Sequence, residues 1–248
     1  MLDWLKRRLQ SYRGEEREET WTLDLAWGDE TLERQLFVAI HPARARRIVV
    51  MIPGCDGTLD GYERKYAKLA SYLVEAGLGA VVRTGNPMLP GLPYETLCQT
   101  TLRGVVEGAL ERSREICGEA APELLLVGWS AGASAIAAQA AQLPRVAGVL
   151  LFAPSGDAGE ADLRAGLERY EGELFVVAAA DDAVVQDLPQ HLFDLASSAR
   201  RKEFVSIPDC DHQFRGARNG RIMSQAPLWA FAGQEPFPDP QGGIHLYD

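Results

Sequence analysis

Two hydrophobic patterns divide the chain. In WTLDLAW and RQLFVAI, beginning at Trp21 and Arg34-Gln35, apolar and polar residues alternate, with GDET between them. A period of two predicts strands with one buried face, and the turn residues between predict an antiparallel pair. From Ile48 onward the pattern changes. Ile48 to Ile52 is a continuous aliphatic run closed by Pro53 and Gly54, and similar runs follow near 79–85, 123–129, 146–154, 173–180 and 202–208. Short unbroken runs of this kind predict strands buried on both faces, as in a parallel sheet.

Between the runs the period lengthens to that of a helix. Tyr62, Tyr66, Leu69 and Leu73 share a face in a segment that stops at Gly77. Leu97, Leu102, Val105, Val106, Leu110 and Ile116 do the same over 94–117. AGASAIAAQAAQL and LPQHLFDLASSA predict two more helices. Strands alternating with helices predict an α/β protein with a mixed, mostly parallel sheet of eight strands. Neither a repeat nor a long low-complexity linker divides the chain, so residues 1–248 read as a single domain. Residues 1–19 read as a short amphipathic helix (Leu2, Leu5, Leu9 and Tyr12 on one face) followed by a charged connection. Residues 233–248 read as a Pro/Gly-rich tail in which Phe237, Ile244, Leu246 and Tyr247 supply apolar groups for docking.

Composition narrows the function classes. The net charge is −10, which gives no basic field to attract nucleic acid. No run approaches the roughly 18 apolar residues of a membrane span. The start lacks the apolar centre of a secretory signal. With four cysteines and no CxxC pair, reduced thiols and a cytoplasmic location are expected.

The chemistry begins at Leu124–Ala135, LLLVGWSAGASA. Gly128-Trp129-Ser130-Ala131-Gly132 is G-x-S-x-G, set where a buried strand meets a small-residue helix. A tight strand-to-helix turn exposes the serine hydroxyl, and flanking glycines remove side chains that would clash there. A chance pentapeptide would not need that context. A serine hydroxyl needs a base. Of His41, His191, His212 and His245, His212 follows a late strand in VSIPDCDHQF, where a loop returns over the strand ends. The acid that orients it is sought in Asp181-Asp182, after the penultimate strand. Metal binding through Cys55, Cys210 and His212 is the rival reading. It fits no closed ligand set and would take His212 from Ser130.

The elbow, and the chain order serine, acid, histidine, resemble the α/β-hydrolase fold family over about residues 20–231. The resemblance implies a sheet with helices on both faces. It implies a serine hydrolase with Ser130 as nucleophile, His212 as base and Asp182 as acid, the last because Asp182-Ala183-Val184-Val185 matches a D-x-x-V loop. Asp181 and then Asp157 are the alternatives. It implies an oxyanion hole made by the backbone N–H groups of Ala131 and Cys55. Family members often carry His-Gly at that second loop; this chain has Pro53-Gly54 before Cys55-Asp56-Gly57. Asp56, Trp129, Met88 and Leu89 are candidate substrate contacts, with Asp56 favoured as a loop-holding residue. Residues 153–172 leave room for one helix and no cap domain. The implied substrate is a small-molecule carboxylic ester or thioester, with no metal and no cofactor. A peptidase, a lactone hydrolase, an acyltransferase or a non-catalytic binding protein would carry the same signature.

Overall fold

The computed structural model describes residues 15–27, 30–88 and 93–247; for residues 23–27 and 30–32 it describes the backbone. The expected helix over residues 1–12 and the candidate contact Leu89 lie outside the described residues.

Eight strands form one sheet. They are β1 (Arg17–Trp27), β2 (Glu30–His41), β3 (Arg47–Ile52), β4 (Ala80–Thr84), β5 (Glu123–Trp129), β6 (Val146–Phe152), β7 (Glu173–Ala179) and β8 (Arg201–Ile207). Their order across the sheet is β1-β2-β4-β3-β5-β6-β7-β8. β1 runs antiparallel to β2, and β2 antiparallel to β4; from β4 to β8 every pair is parallel. The two patterns in the sequence thus mark two parts of one sheet. Where residues alternate, as in Leu36 and Val38 buried against Gln35 and Phe37 exposed, the strand has a wet face. Where the aliphatic run is unbroken, both faces are dry.

Alternate residues of the central strands feed different cores. Ile48, Val50 and Ile52 pack with Leu124 and Leu126 on one side. Val49 and Met51 pack with Leu125 and Val127 on the other. The first side is covered by α2 (Tyr94–Glu111), α4 (Ala131–Gln139) and α5 (Glu160–Arg169). The second is covered by α1 (Lys65–Glu75) and α7 (Ala217–Ala232). A one-residue slip of any central strand would exchange its two sets of side chains, so burial on both faces fixes the register firmly. Three short elements complete the list among the described residues: a 3₁₀ turn (Tyr62–Arg64), α3 (Ser113–Ile116), split from α2 at Arg112, where φ is −98° and ψ 12°, and α6 (Leu188–Leu195). The single helical segment expected over 94–117 is therefore two. α5 is the one helix in the stretch between β6 and β7, so that stretch holds no cap domain.

α7 has no counterpart among the elements read from the sequence. Pro227 in its interior removes a backbone donor and crowds the preceding turn, and Gly220 adds chain entropy. The helix persists because Ile222 through Phe231 are all buried. Its apolar side also receives the tail: the Phe237 ring stacks on Trp229 at 4.5 Å, and Leu246 and Tyr247 are buried.

Candidate functional site

The site lies at the carboxyl ends of the parallel strands, where open α/β sheets place their ligands. β5 ends at Trp129 and α4 begins at Ala131, which leaves one residue, Ser130, to reverse the chain. Its φ of 49° and ψ of −117° lie in a region that non-glycine residues avoid. The strain is held by the surroundings. The Ser130 N–H donates to the Phe152 carbonyl at 2.9 Å, while its carbonyl accepts the first helical bond from Ser134 N–H, also 2.9 Å.

The flanking glycines are required by contact. A Cβ on Gly128 would stand 2.6 Å from the Ala133 nitrogen, and one on Gly132 would stand 2.4 Å from the carbonyl oxygens of both Ile52 and Pro53. No side-chain rotation relieves a clash with backbone. The small residues of α4, all buried, let the helix sit this close to the sheet.

His212 comes from the loop after β8, and Asp182 from the turn after β7. His212 Nε2 lies 2.9 Å from Ser130 Oγ, and His212 Nδ1 lies 2.7 Å from Asp182 Oδ2. The other oxygen of Asp182 accepts the N–H groups of Val184 and Val185 at 2.9 and 3.1 Å, which fixes the carboxylate plane. With Asp182 ionised, Nδ1 carries the proton and Nε2 is left to accept the serine O–H. The Asp182 side chain is 2 % exposed and that of His212 18 %, so the acid is shielded while the ring reaches the surface.

The other candidates go elsewhere. Asp181 is exposed, and its N–H bonds to the Cys210 carbonyl. Asp157 is exposed and accepts the Ser155 hydroxyl at 2.6 Å. His191 is exposed, and His245 sits beside Arg221 in the tail. His41 is buried against Arg83.

Ala131 opens α4, so its N–H belongs to the first turn, whose donors have no intrahelical acceptor. Gly54 abuts Ser130: a Cβ there would be 3.2 Å from Ser130 Cβ and 3.8 Å from Oγ. The loop Pro53–Gly57 thus passes beside Ser130, with Cys55 exposed within it. Asp56 has φ 53° and accepts the Met88 N–H at 3.4 Å, tying this loop to the segment after β4. That contact favours the loop-holding role over a substrate contact. Met88 itself is 56 % exposed.

Trp129 departs from its expected place among the substrate contacts. It is buried, stacked on Phe152 at 5.1 Å and packed on Tyr66 at 4.7 Å. It supports the elbow from below, because residue parity at the end of β5 turns its side chain into the core.

The cysteines are all free. Burial pushes the Cys98 thiol up to about 11 and the Cys210 thiol up to about 12, so both keep their protons at neutral pH. Among the described residues no group of three or more His, Cys, Asp or Glu side chains is arranged to hold a metal ion. Nor is any helix among them long and apolar enough to cross a membrane. A cavity of about 960 Å³ begins one residue beyond Cys55, lined by Asp56, Gly57, Leu59, Pro87, Gln35 and Phe37 among others. The sequence reading missed Asn86, buried behind the same loop. Its one signal was position, two residues after the end of β4.

No family model and no curated protein matches the sequence. Solved structures do match. An esterase domain from a Rhodothermus marinus protein is 16% identical, with a TM-score of 0.64, covering 87% of this chain and 98% of that one. A dienelactone hydrolase from Anabaena variabilis is 16% identical, with a TM-score of 0.62 and coverage of 88% and 99%. A puromycin-hydrolyzing peptidase from Mycobacterium tuberculosis is 15% identical, with a TM-score of 0.66, and the match covers 92% of this chain but 42% of that one. With its strand order, its helices on both faces and its strained serine at the end of β5, the chain has the α/β-hydrolase fold.

Proposed function

We propose that the protein is a serine hydrolase that cleaves a small or medium carboxylic ester or thioester through Ser130, His212 and Asp182. The observation that carries this reading is the unbroken hydrogen-bond line from Asp182 through His212 to Ser130, at 2.7 and 2.9 Å.

Ser130 Oγ attacks the substrate carbonyl as its proton passes to His212 Nε2. Asp182 holds the ring and stabilises the imidazolium that forms. Charge builds on the former carbonyl oxygen, which the N–H groups of Ala131 and Cys55 receive. Losing one such donor costs about 10²–10³ in rate. His212 then protonates the leaving alcohol or thiol. Water, deprotonated by the same ring, releases the acid and restores the serine. The exposed mouth and the lack of a cap domain between β6 and β7 suit a substrate that enters without a large closure. Peptide and lactone substrates would use the same side chains, and a panel of acyl-chain lengths, lactones and amides separates them.

The test is Ser130→Ala with p-nitrophenyl acyl esters and a fluorophosphonate probe. Turnover and labelling at Ser130 should both vanish while the thermal melt stays in place. Turnover that survives the substitution sinks the reading.

A further inference from the structure

Behind the loop that carries Cys55 lies a polar group that the mechanism above does not use. Asn86 is fully buried, two residues past the end of β4. Its backbone N–H donates to the Gly57 carbonyl at 2.8 Å, and its side-chain Nδ2 lies 3.2 Å from the Pro53 carbonyl oxygen. One residue therefore holds the loop Pro53–Gly57 at both ends. Between those ends the loop closes on itself through Gly57 N–H to the Gly54 carbonyl at 3.0 Å. Because Pro53 oxygen can only accept, this contact fixes which end of the Asn86 amide is nitrogen.

The same amide reaches the other side of the site. Nδ2 is 2.8 Å from the Tyr94 hydroxyl and 3.2 Å from Cys98 Sγ. The Cys98 thiol lies 3.1 Å from the Ala131 carbonyl and donates to it. Thus Asn86, Cys98 and the half-buried Tyr94 form one link between the residue after the nucleophile and the loop beside it. Among the described residues Asn86 Oδ1 is buried with no hydrogen-bond partner, an arrangement that costs stability and calls for an explanation.

We propose that Asn86 is a positioning residue for the oxyanion hole, setting the Cys55 N–H against the Ala131 N–H through its grip on Pro53 and Gly57 and through the Tyr94–Cys98 link. The inference rests on the hydrolase reading, since it assigns a purpose to two donors that only that reading requires. Asn86 touches no reacting atom. Its effect is exerted through the position of the loop, and a shift of about 1 Å in such a group can cost about 10²-fold in rate.

The experiment compares Asn86→Ala, Asn86→Asp and Tyr94→Phe with the unaltered protein, using p-nitrophenyl ester kinetics and the rate of fluorophosphonate labelling. Asn86→Ala should lower kcat and the labelling rate together by about 10- to 100-fold, with KM within about threefold. Tyr94→Phe should lower kcat by about fivefold, as loss of one neutral hydrogen bond does. Asn86→Asp keeps the shape but, when ionised, sets a carboxylate against the Pro53 carbonyl. Its activity relative to the unaltered protein at each pH should rise as pH falls and the acid regains a donor hydrogen. A folded Asn86→Ala with kcat within twofold of the unaltered protein, or a loss confined to KM, overturns the inference while leaving the hydrolase reading intact. Should Asn86→Ala fail to fold, the kcat of Tyr94→Phe and the pH response of Asn86→Asp decide by the same criteria. Absence of any Ser130 adduct in the unaltered protein overturns the hydrolase reading, and this inference with it.

Discussion

Two histidines of this chain each meet a charged side chain, and the fold puts them to different uses. His212 stands on a loop at the strand ends, with Asp182 behind it and Ser130 in front. His41 ends β2, 6 % exposed, on the antiparallel side of the sheet. There the Arg83 Nε–H donates to His41 Nε2 at 3.0 Å, while the Arg83 guanidinium also meets Asp60 at 2.6 Å, Glu16, and the Leu59 carbonyl. Burial, helped by the Arg83 cation and opposed by Glu16 and Asp60, holds the His41 ring down at about 4. The comparison teaches that an imidazole's task is set by what faces its Nε2. A hydroxyl offers a proton that can be taken. A guanidinium fills the acceptor and gives nothing up, so His41 is locked as a neutral part of a buried charge cluster.

The largest effect that tests this contrast is on rate. His212→Ala should lower kcat for an acyl ester by about 10⁴-fold or more, whereas His41→Gln, which keeps an acceptor for Arg83, should leave kcat within about twofold. Steady-state kinetics on both variants checks it, and equal losses would erase the distinction. The carboxylates sharpen the same point at a somewhat smaller scale. Asp182→Asn should cost about 10⁴ in kcat by presenting the ring with the wrong tautomer. Asp181→Asn, one residue away and exposed, should cost less than threefold; a reversed pair of results would reassign the acid.

The smallest effect concerns stability. An unfolded imidazole titrates near 6.5, whereas His41 in the fold is held at about 4. Between those values the unfolded chain binds a proton that the native chain does not, so this group makes stability fall as pH drops from about 6.5 to about 4, with no further loss below. Urea unfolding across that window should show the slope, and His41→Gln should flatten it. An unchanged slope in the variant would place the acid sensitivity in other groups.

How much of the molecule was legible in the chain depended on how local each cause is. The elbow was readable because its requirements sit within five residues: a buried strand, a turn too tight for side chains at 128 and 132, and a helix of small residues. That Asp181-Asp182 and His212 each follow a strand was readable along the chain, while the choice between the two aspartates was not. Trp129 was misplaced because the motif says nothing about which way its neighbours point. That follows from strand parity and the room beside Phe152. α7 was hidden because Pro227 argues against a helix locally, while the burial that overrides it comes from the sheet and from the tail.

The sequence by itself determined the alternation of dry strands and helices, the half-wet antiparallel edge and the strained serine, since each is encoded in the spacing of neighbouring residues. Only the tertiary structure decided which carboxylate meets which ring, because Asp181 and Asp182 are equal in composition and differ only in the direction the turn gives them. It alone gathered Glu16, His41, Asp60 and Arg83 into one cluster and set Asn86 behind Pro53 and Gly57. Such groupings depend on strand order and packing across the sheet, and distances along a chain do not carry distances through a fold.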